Sequence, residues 1–201
     1  SLQGMLDEFG AVPVGVAQRL LTDVLRGLRY LHSQRIVHRD VKPANVLLDV
    51  AGACKLTDFG TSTKVRRTGP AGGSKALVVG TPAYMAPEQI DGASRVDERA
   101  DLFALGVILY EMCSGFRPFE GASVWALLEA LRQVSHIPIQ ERAPKTPPHL
   151  VRAIEACLIR DPLHRVPDTE TLEQILDGLV WKPPVQQQPV RPATTTTPAT
   201  K

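Results

Sequence analysis

The stretch IVHRDVKPANVLLD, residues 36–49, places a histidine, an arginine, two aspartates, a lysine and an asparagine at fixed offsets inside an otherwise apolar ribbon. Buried polar groups cost free energy unless they are bonded, so such a density of them asks for a use. Upstream, Val16, Leu20, Val24, Leu28 and Leu31 form a stripe that predicts a helix over residues 14–34, with Pro13 near its start. Downstream, the short runs 46–48 and 54–57 read as two strands joined by a turn containing Gly52.

Residues 60–80 are rich in Gly, Ser, Thr, Lys and Arg and read as an exposed loop. The segment DLFALGVILYEMC, residues 101–113, is apolar on nearly every face, which predicts a helix buried all round. Three more amphipathic helices are expected near 123–134, 148–160 and 169–180. The end of the chain, KPPVQQQPVRPATTTTPATK, holds five prolines and almost no apolar mass, a composition that does not order itself. The expectation is a mainly α body over residues 1–180 with one small β-hairpin, followed by a Pro/Thr-rich disordered tail at 181–201.

The totals fit one well-buried domain: 201 residues, 43% of them hydrophobic. Lys+Arg 23 against Asp+Glu 21 leaves a net charge of +2, which argues against nucleic acid or an anionic membrane as the main partner. Cys54, Cys113 and Cys157 are odd in number, far apart and set in apolar runs. They read as reduced thiols of a cytoplasmic protein, not as a disulfide or zinc framework. The longest apolar run, residues 102–110, is too short to cross a bilayer. The first residue is Ser1, not Met, so further sequence is expected upstream.

HRDVKPAN (38–45), DFG (58–60), APE (86–88) and the buried DLFALGVILYEM helix follow one another in the order seen in protein kinases. GTPAYMAPE (80–88), SGFRPF (114–119) and RDPLHR (160–165) extend the likeness. Over about residues 1–180 the chain resembles the carboxy-terminal lobe of a eukaryotic-type serine/threonine protein kinase. SLQGML (1–6) and the 36–48 segment are most similar to mitogen-activated protein kinase kinase kinases.

The resemblance implies a set of roles. Phosphoryl transfer needs a group to orient the attacking hydroxyl and accept its proton, and cations to neutralise the phosphates. Asp40 would be that base. Lys42 would steady the transferring phosphate, and Asn45 and Asp58 would ligate Mg²⁺, a cation that takes hard oxygen ligands. Leu47 would lie in the ATP site. In the family, a lysine at position 42 with a threonine such as Thr81 accompanies Ser/Thr specificity. Arg39 would pair with a phosphate on the activation loop, residues 58–88, placed there by an upstream kinase. Ser74 is the expected regulatory site among Thr61, Ser62, Thr63, Thr68, Ser74 and Thr81. The resemblance gives an architectural role to Glu88, paired with Arg165, and to Asp101, capping the buried helix and binding the catalytic-loop backbone from beneath. His38 and Phe59 are expected to pack rather than react, and Phe103 keeps most of the volume of the family's usual tryptophan.

Taken singly, each piece has an ordinary reading: Asp40 as a solvated charge beside Arg39, Asp58 to Gly60 as a turn, Asn45 as a cap. Their joint order decides for the kinase. A glycine-rich loop and a lysine–glutamate pair to hold the phosphates are not found. No lysine precedes Lys42, the sole upstream glutamate is Glu8, and GPAGGS (69–74) does not fit the glycine pattern. The amino-terminal lobe is thus expected to be missing from the 201 residues, which alone should be inactive or very weak. Two rivals follow, a single-lobed pseudokinase that binds proteins and a small-molecule phosphotransferase. Retention of Asp40, Asn45 and Asp58 together disfavours the first, and GTPAYMAPE the second.

Overall fold

A computed structural model describes residues 1–58, 82–92 and 96–184. Along the chain run α1 (Leu2–Phe9), α2 (Val14–Ser33), β1 (Val46–Leu48), β2 (Cys54–Leu56), α3 (Pro87–Ile90), α4 (Arg99–Ser114), α5 (Val124–Gln133), α6 (Ile139–Arg142), α7 (Pro148–Cys157) and α8 (Thr169–Leu176). The mainly α body with one hairpin is as expected. The 60–80 loop, Phe59, Ser74 and Thr81 lie outside the described residues, as does the tail beyond residue 184.

The organising element is α4. Every residue from Ala100 to Tyr110 is buried, so the helix has no solvent face and acts as the axis of the core. It packs against α2, α6, α7 and the 3-10 turn Pro82–Tyr84. Gly106 permits the approach of α7, since a Cβ there would meet Cys157 Cβ at 2.4 Å. The helix stops at Gly115, whose φ of 76° is a left-handed conformation that glycine adopts without steric cost. Phe103 is fully buried and stacks on Phe119 with ring centroids 5.8 Å apart, so the phenyl ring fills its site.

α2 buries Ala17, Leu20, Leu21, Val24, Leu25, Leu28 and Leu31 against α4, α8 and β2. Val16, read as part of that stripe, is instead 40% exposed. It sits in the first turn of α2 and faces a groove shared with Met5, Leu48 and Val50. The later helices are shorter than their periodicity suggests. α7 ends at Cys157 because the carbonyls of Ile159 and Arg160 turn in to meet the Arg165 guanidinium, and Pro162 cannot continue a helix. α8 ends at Leu176, just before Gly178 with φ 107°.

The hairpin pairs Val46 with Leu56, Leu47 with Lys55 and Leu48 with Cys54. Its turn is closed by Asp49, whose Oδ1 accepts the N–H groups of Ala51 and Ala53 at 2.9 Å each. These donors, led by Ala53, hold the Asp49 carboxyl below the ordinary aspartate range. The strand β2 is fixed to α2 through Cys54 N–H donating to Asp23 Oδ2 at 3.2 Å. Of the thiols, Cys157 is buried while Cys54 and Cys113 are half-buried. Burial pushes them up to about 11 for Cys54 and Cys113 and about 12 for Cys157, so all three are protonated thiols at neutral pH. Among the described residues, no helix is long and apolar enough to cross a membrane.

Candidate active site

The segment between α2 and β1 reaches the head of α4 and is held there by one carboxylate. Asp101, 1% exposed, accepts the backbone N–H of His38 at 2.9 Å on Oδ2 and that of Arg39 at 2.8 Å on Oδ1. Oδ2 also accepts from His32 Nε2 at 2.8 Å. Asp101 stands in the first turn of α4, where the helix dipole favours a negative charge. It does not cap the helix, as the sequence suggested; Glu98 holds the N-cap position, and the Asp101 carboxylate turns outward to the loop. Its anchoring of the loop backbone from beneath is as expected.

His38 is fully buried, as expected of a packing residue. Its Nε2 lies 2.9 Å from the carbonyl of Thr57, so that nitrogen carries the proton and donates. Nδ1 then accepts the N–H of Asp40 at 3.3 Å. Arg39 between them has φ 66°, a left-handed backbone uncommon for a residue with a side chain, and its carbonyl accepts from Gln89 Nε2 at 2.8 Å. Long-range bonds to Asp101, Thr57 and Gln89 thus hold the turn that bears Asp40.

Asp40, Lys42 and Asn45 meet. Lys42 Nζ donates to Asp40 Oδ2 at 2.6 Å, and Asn45 Nδ2 donates to the same oxygen at 3.2 Å and to the Asp40 carbonyl at 2.8 Å. Both side-chain bonds fall on Oδ2 and neither on Oδ1. The Asp40 and Lys42 side chains are 16% and 22% exposed, so the pair is recessed but reachable. The short distances match charge-assisted hydrogen bonds. Asn45 is buried within the turn Pro43–Asn45, which leads straight into β1.

The hairpin returns beside this group. Thr57 N–H and Oγ1 both donate to the carbonyl of Asn45, at 2.9 and 3.2 Å. Asp58 follows at once, exposed and left-handed with φ 62°. With the Asn45 nitrogen spent on Asp40, the amide oxygen is the end that suits a cation. An amide oxygen and a carboxylate are hard donors of the type Mg²⁺ takes, in a number that leaves room for phosphate and water. The residues therefore fit the ion. Among the described residues no group of three or more His, Cys, Asp or Glu side chains forms a cage of its own. Leu47, on β1, is 45% exposed on the hairpin surface, and Val50 beside it is fully exposed.

The second charged node is Glu88 with Arg165, as expected. Arg165 is 1% exposed and uses all five of its N–H donors. Two go to Glu88, at 2.7 and 3.0 Å, and the rest to the carbonyls of Arg99, Ile159 and Arg160. Its guanidinium also lies 5.0 Å from the Phe103 ring centroid.

Sequence reasoning missed His32, Thr57 and Gln89, which position the loop, and the pair Tyr84–Glu111. Tyr84 Oη donates to Glu111 Oε2 at 2.7 Å, and burial pushes both groups upward. An Ala-Pro-Glu-Gln run was visible, but nothing local marks Gln89 as a partner for a residue 50 positions away.

The sequence matches the protein kinase domain family over residues 1–177. A serine/threonine-protein kinase of Corynebacterium efficiens is 35% identical over 211 residues, covering 99% of this chain and 38% of that protein. Mitogen-activated protein kinase kinase kinase 3 of Homo sapiens is 37% identical over 150 residues, covering 75% of this chain and 23% of that protein. Tyrosine-protein kinase MasK of Myxococcus xanthus is 36% identical over 174 residues, covering 83% of this chain and 26% of that protein. The chain spans between about a quarter and two fifths of the length of these relatives. With the HRD, DFG and APE segments in order and the Asp40–Lys42–Asn45 group assembled, the chain belongs to the protein kinase domain family.

Proposed function

We propose that these residues are the carboxy-terminal lobe of an ATP-dependent protein kinase that phosphorylates serine and threonine hydroxyls of other proteins. The carrying observation is the shared bonding of Lys42 and Asn45 to one oxygen of Asp40. In the general protein-kinase template, positioning and electrostatic stabilisation supply almost all of the catalysis. Asp40 receives the proton of the substrate hydroxyl as it attacks. Lys42, already at Asp40, places its charge where the γ-phosphate and the hydroxyl meet. Asn45 and Asp58 hold Mg²⁺, which neutralises charge on the phosphates when bound. Leu47 offers apolar surface to the adenine.

The remaining elements of that template, the glycine-rich loop and the lysine–glutamate pair, belong in this reading to an amino-terminal lobe outside the 201 residues. Arg39 answers a phosphate on Ser74, set by an upstream kinase in a phosphorylation cascade in the cytoplasm. Lys42 and Thr81 support Ser/Thr over Tyr as acceptor.

The test is transfer of labelled phosphate from ATP in the presence of Mg²⁺ by the full protein, followed by phosphoamino acid analysis of the substrate. Phosphoserine or phosphothreonine is expected. Asp40→Asn should lower the rate about 10²–10⁴-fold, the usual worth of a positioned base, with the melting temperature little changed. Transfer persisting at the parental rate in Asp40→Asn would refute the assignment of the base, and phosphotyrosine would refute the acceptor class.

A further inference from the structure

We propose that Gln89 is a positioning residue for phosphoryl transfer: its side-chain amide couples the segment 82–86 to the peptide unit that carries Asp40. This inference rests on the kinase reading above and deepens it, by tying the seat of the protein acceptor to the base.

The bonds at the two ends of one amide carry it. Gln89 Oε1 accepts the backbone N–H of Ala86 at 3.0 Å, and Gln89 Nε2 donates to the Arg39 carbonyl at 2.8 Å. An N–H only donates and a carbonyl only accepts, so these partners fix which end of the amide faces which. A carboxylate of the same shape would serve Ala86 and fail Arg39, because it has no proton to give. Ala86 closes the segment 82–86, which is buried throughout and belongs to GTPAYMAPE, the stretch that speaks for a protein acceptor.

The other end matters because of the peptide unit it grips. That unit joins Arg39 to Asp40, and its N–H is accepted by His38 Nδ1 at 3.3 Å. Its carbonyl edge takes the shorter bond, from Gln89. Arg39 has φ 66°, a backbone that persists in a residue with a side chain only where its surroundings hold it. Beyond the base, Asn45 Nδ2 donates to the Asp40 carbonyl at 2.8 Å. Gln89 thus holds the chain on one side of Asp40 and Asn45 on the other. Release of the Arg39 carbonyl frees the unit to rotate and carries the Asp40 side chain with it. In a reaction that depends on positioning, a displacement of about 1 Å can cost about 10²-fold in rate.

Gln89 stands on a firm support. Its neighbour Glu88 takes two bonds from Arg165, at 2.7 and 3.0 Å, and Ile90 on its other side is buried. The amide therefore transmits the place of the segment 82–86 to the catalytic loop instead of following it.

The experiment measures phosphate transfer from ATP to a generic protein substrate by the full protein and by its Gln89→Glu and Gln89→Met variants. Both kcat and KM are taken per folded molecule. Gln89→Glu keeps the acceptor for Ala86 and loses the donor to Arg39, whereas Gln89→Met keeps the length and loses both. In each, kcat is expected to fall about tenfold, the rate equivalent of one neutral hydrogen bond. KM for ATP should stay within about twofold of the parent in both. KM for the protein substrate should hold in Gln89→Glu and rise in Gln89→Met, which alone frees the Ala86 N–H. Parental kcat in either folded variant would overturn the proposal and spare the kinase reading, as would a defect confined to KM for ATP. An unchanged protein-substrate KM in Gln89→Met would sever the link to the segment 82–86 and overturn the coupling. No transfer by the parent protein would overturn both readings.

Discussion

Two carboxylates, Glu88 and Asp101, anchor this molecule, and their partners differ in access to solvent. Glu88, 9% exposed at a surface cleft, meets the sealed guanidinium of Arg165, which is without exposure and uses every donor. Asp101 meets the catalytic loop at the edge of the site: its own side chain is buried, but Arg39, one of the residues it holds, is exposed. When the first node loses its guanidinium, the Glu88 carboxylate and three inward-turned carbonyls are left without their donors. At the site, the freed N–H of exposed Arg39 can rehydrate. The lesson is that the first node secures the fold, while the second secures the direction in which Asp40 points.

Arg165→Ala attacks the sealed node and should be the most damaging change. It strands Glu88 and three carbonyls and should cost about 3–5 kcal/mol, read as a fall in denaturation midpoint. Protein that remains folded should keep much of its specific activity. Gly106→Ala comes next, at about 3 kcal/mol, since the new Cβ would collide with Cys157 Cβ at 2.4 Å and force α7 from α4. Thermal unfolding of that variant measures it.

Asp101→Ala should cost less stability, about 2 kcal/mol. Of the three groups that lose their acceptor, the N–H of His38, the N–H of Arg39 and His32 Nε2, only the first is fully buried. Its transfer rate per folded molecule should nevertheless fall, as the turn bearing Asp40 loosens. Equal stability losses for Asp101→Ala and Arg165→Ala, with activity per folded molecule unchanged in both, would erase the contrast between the two nodes.

The smallest effect is at the hairpin turn. Asp49 has its pKa lowered in the folded state, so its contribution is present above the ordinary aspartate value of 3.8 and is lost as pH falls below it. Asp49→Asn should therefore show a slightly smaller drop in melting temperature between pH 5 and pH 2.5 than the parent. A larger drop in the variant would contradict the sign.

Much of this was legible in the sequence because it is local or carried by motif order. The buried α4 announces itself by eleven successive interior residues, and Asp40, Lys42 and Asn45 lie within six positions. Even the 77-residue link from Glu88 to Arg165 followed from the resemblance. What escaped was the network that holds the turn bearing Asp40. His32 reaches Asp101 across 69 positions and Gln89 reaches Arg39 across 50, and no periodicity encodes such pairs. The left-handed backbone at Arg39 and Asp58 was equally silent, since neither is a glycine that would have marked it. The helix end at Cys157 came early because Arg165, distant in sequence terms from any periodic signal, claims the Ile159 and Arg160 carbonyls, while α8 stops at Leu176 just before Gly178.

The Glu88–Arg165 link also sets a schedule for synthesis. A ribosome adding about 5–20 residues per second needs about 4–15 s to pass from one partner to the other. Throughout that interval α3 has no guanidinium to close against, and the apolar faces of α4 await α7, which is made in the same stretch. Until position 165 has cleared the exit tunnel, Glu88 therefore lacks its guanidinium and the growing chain cannot close this node.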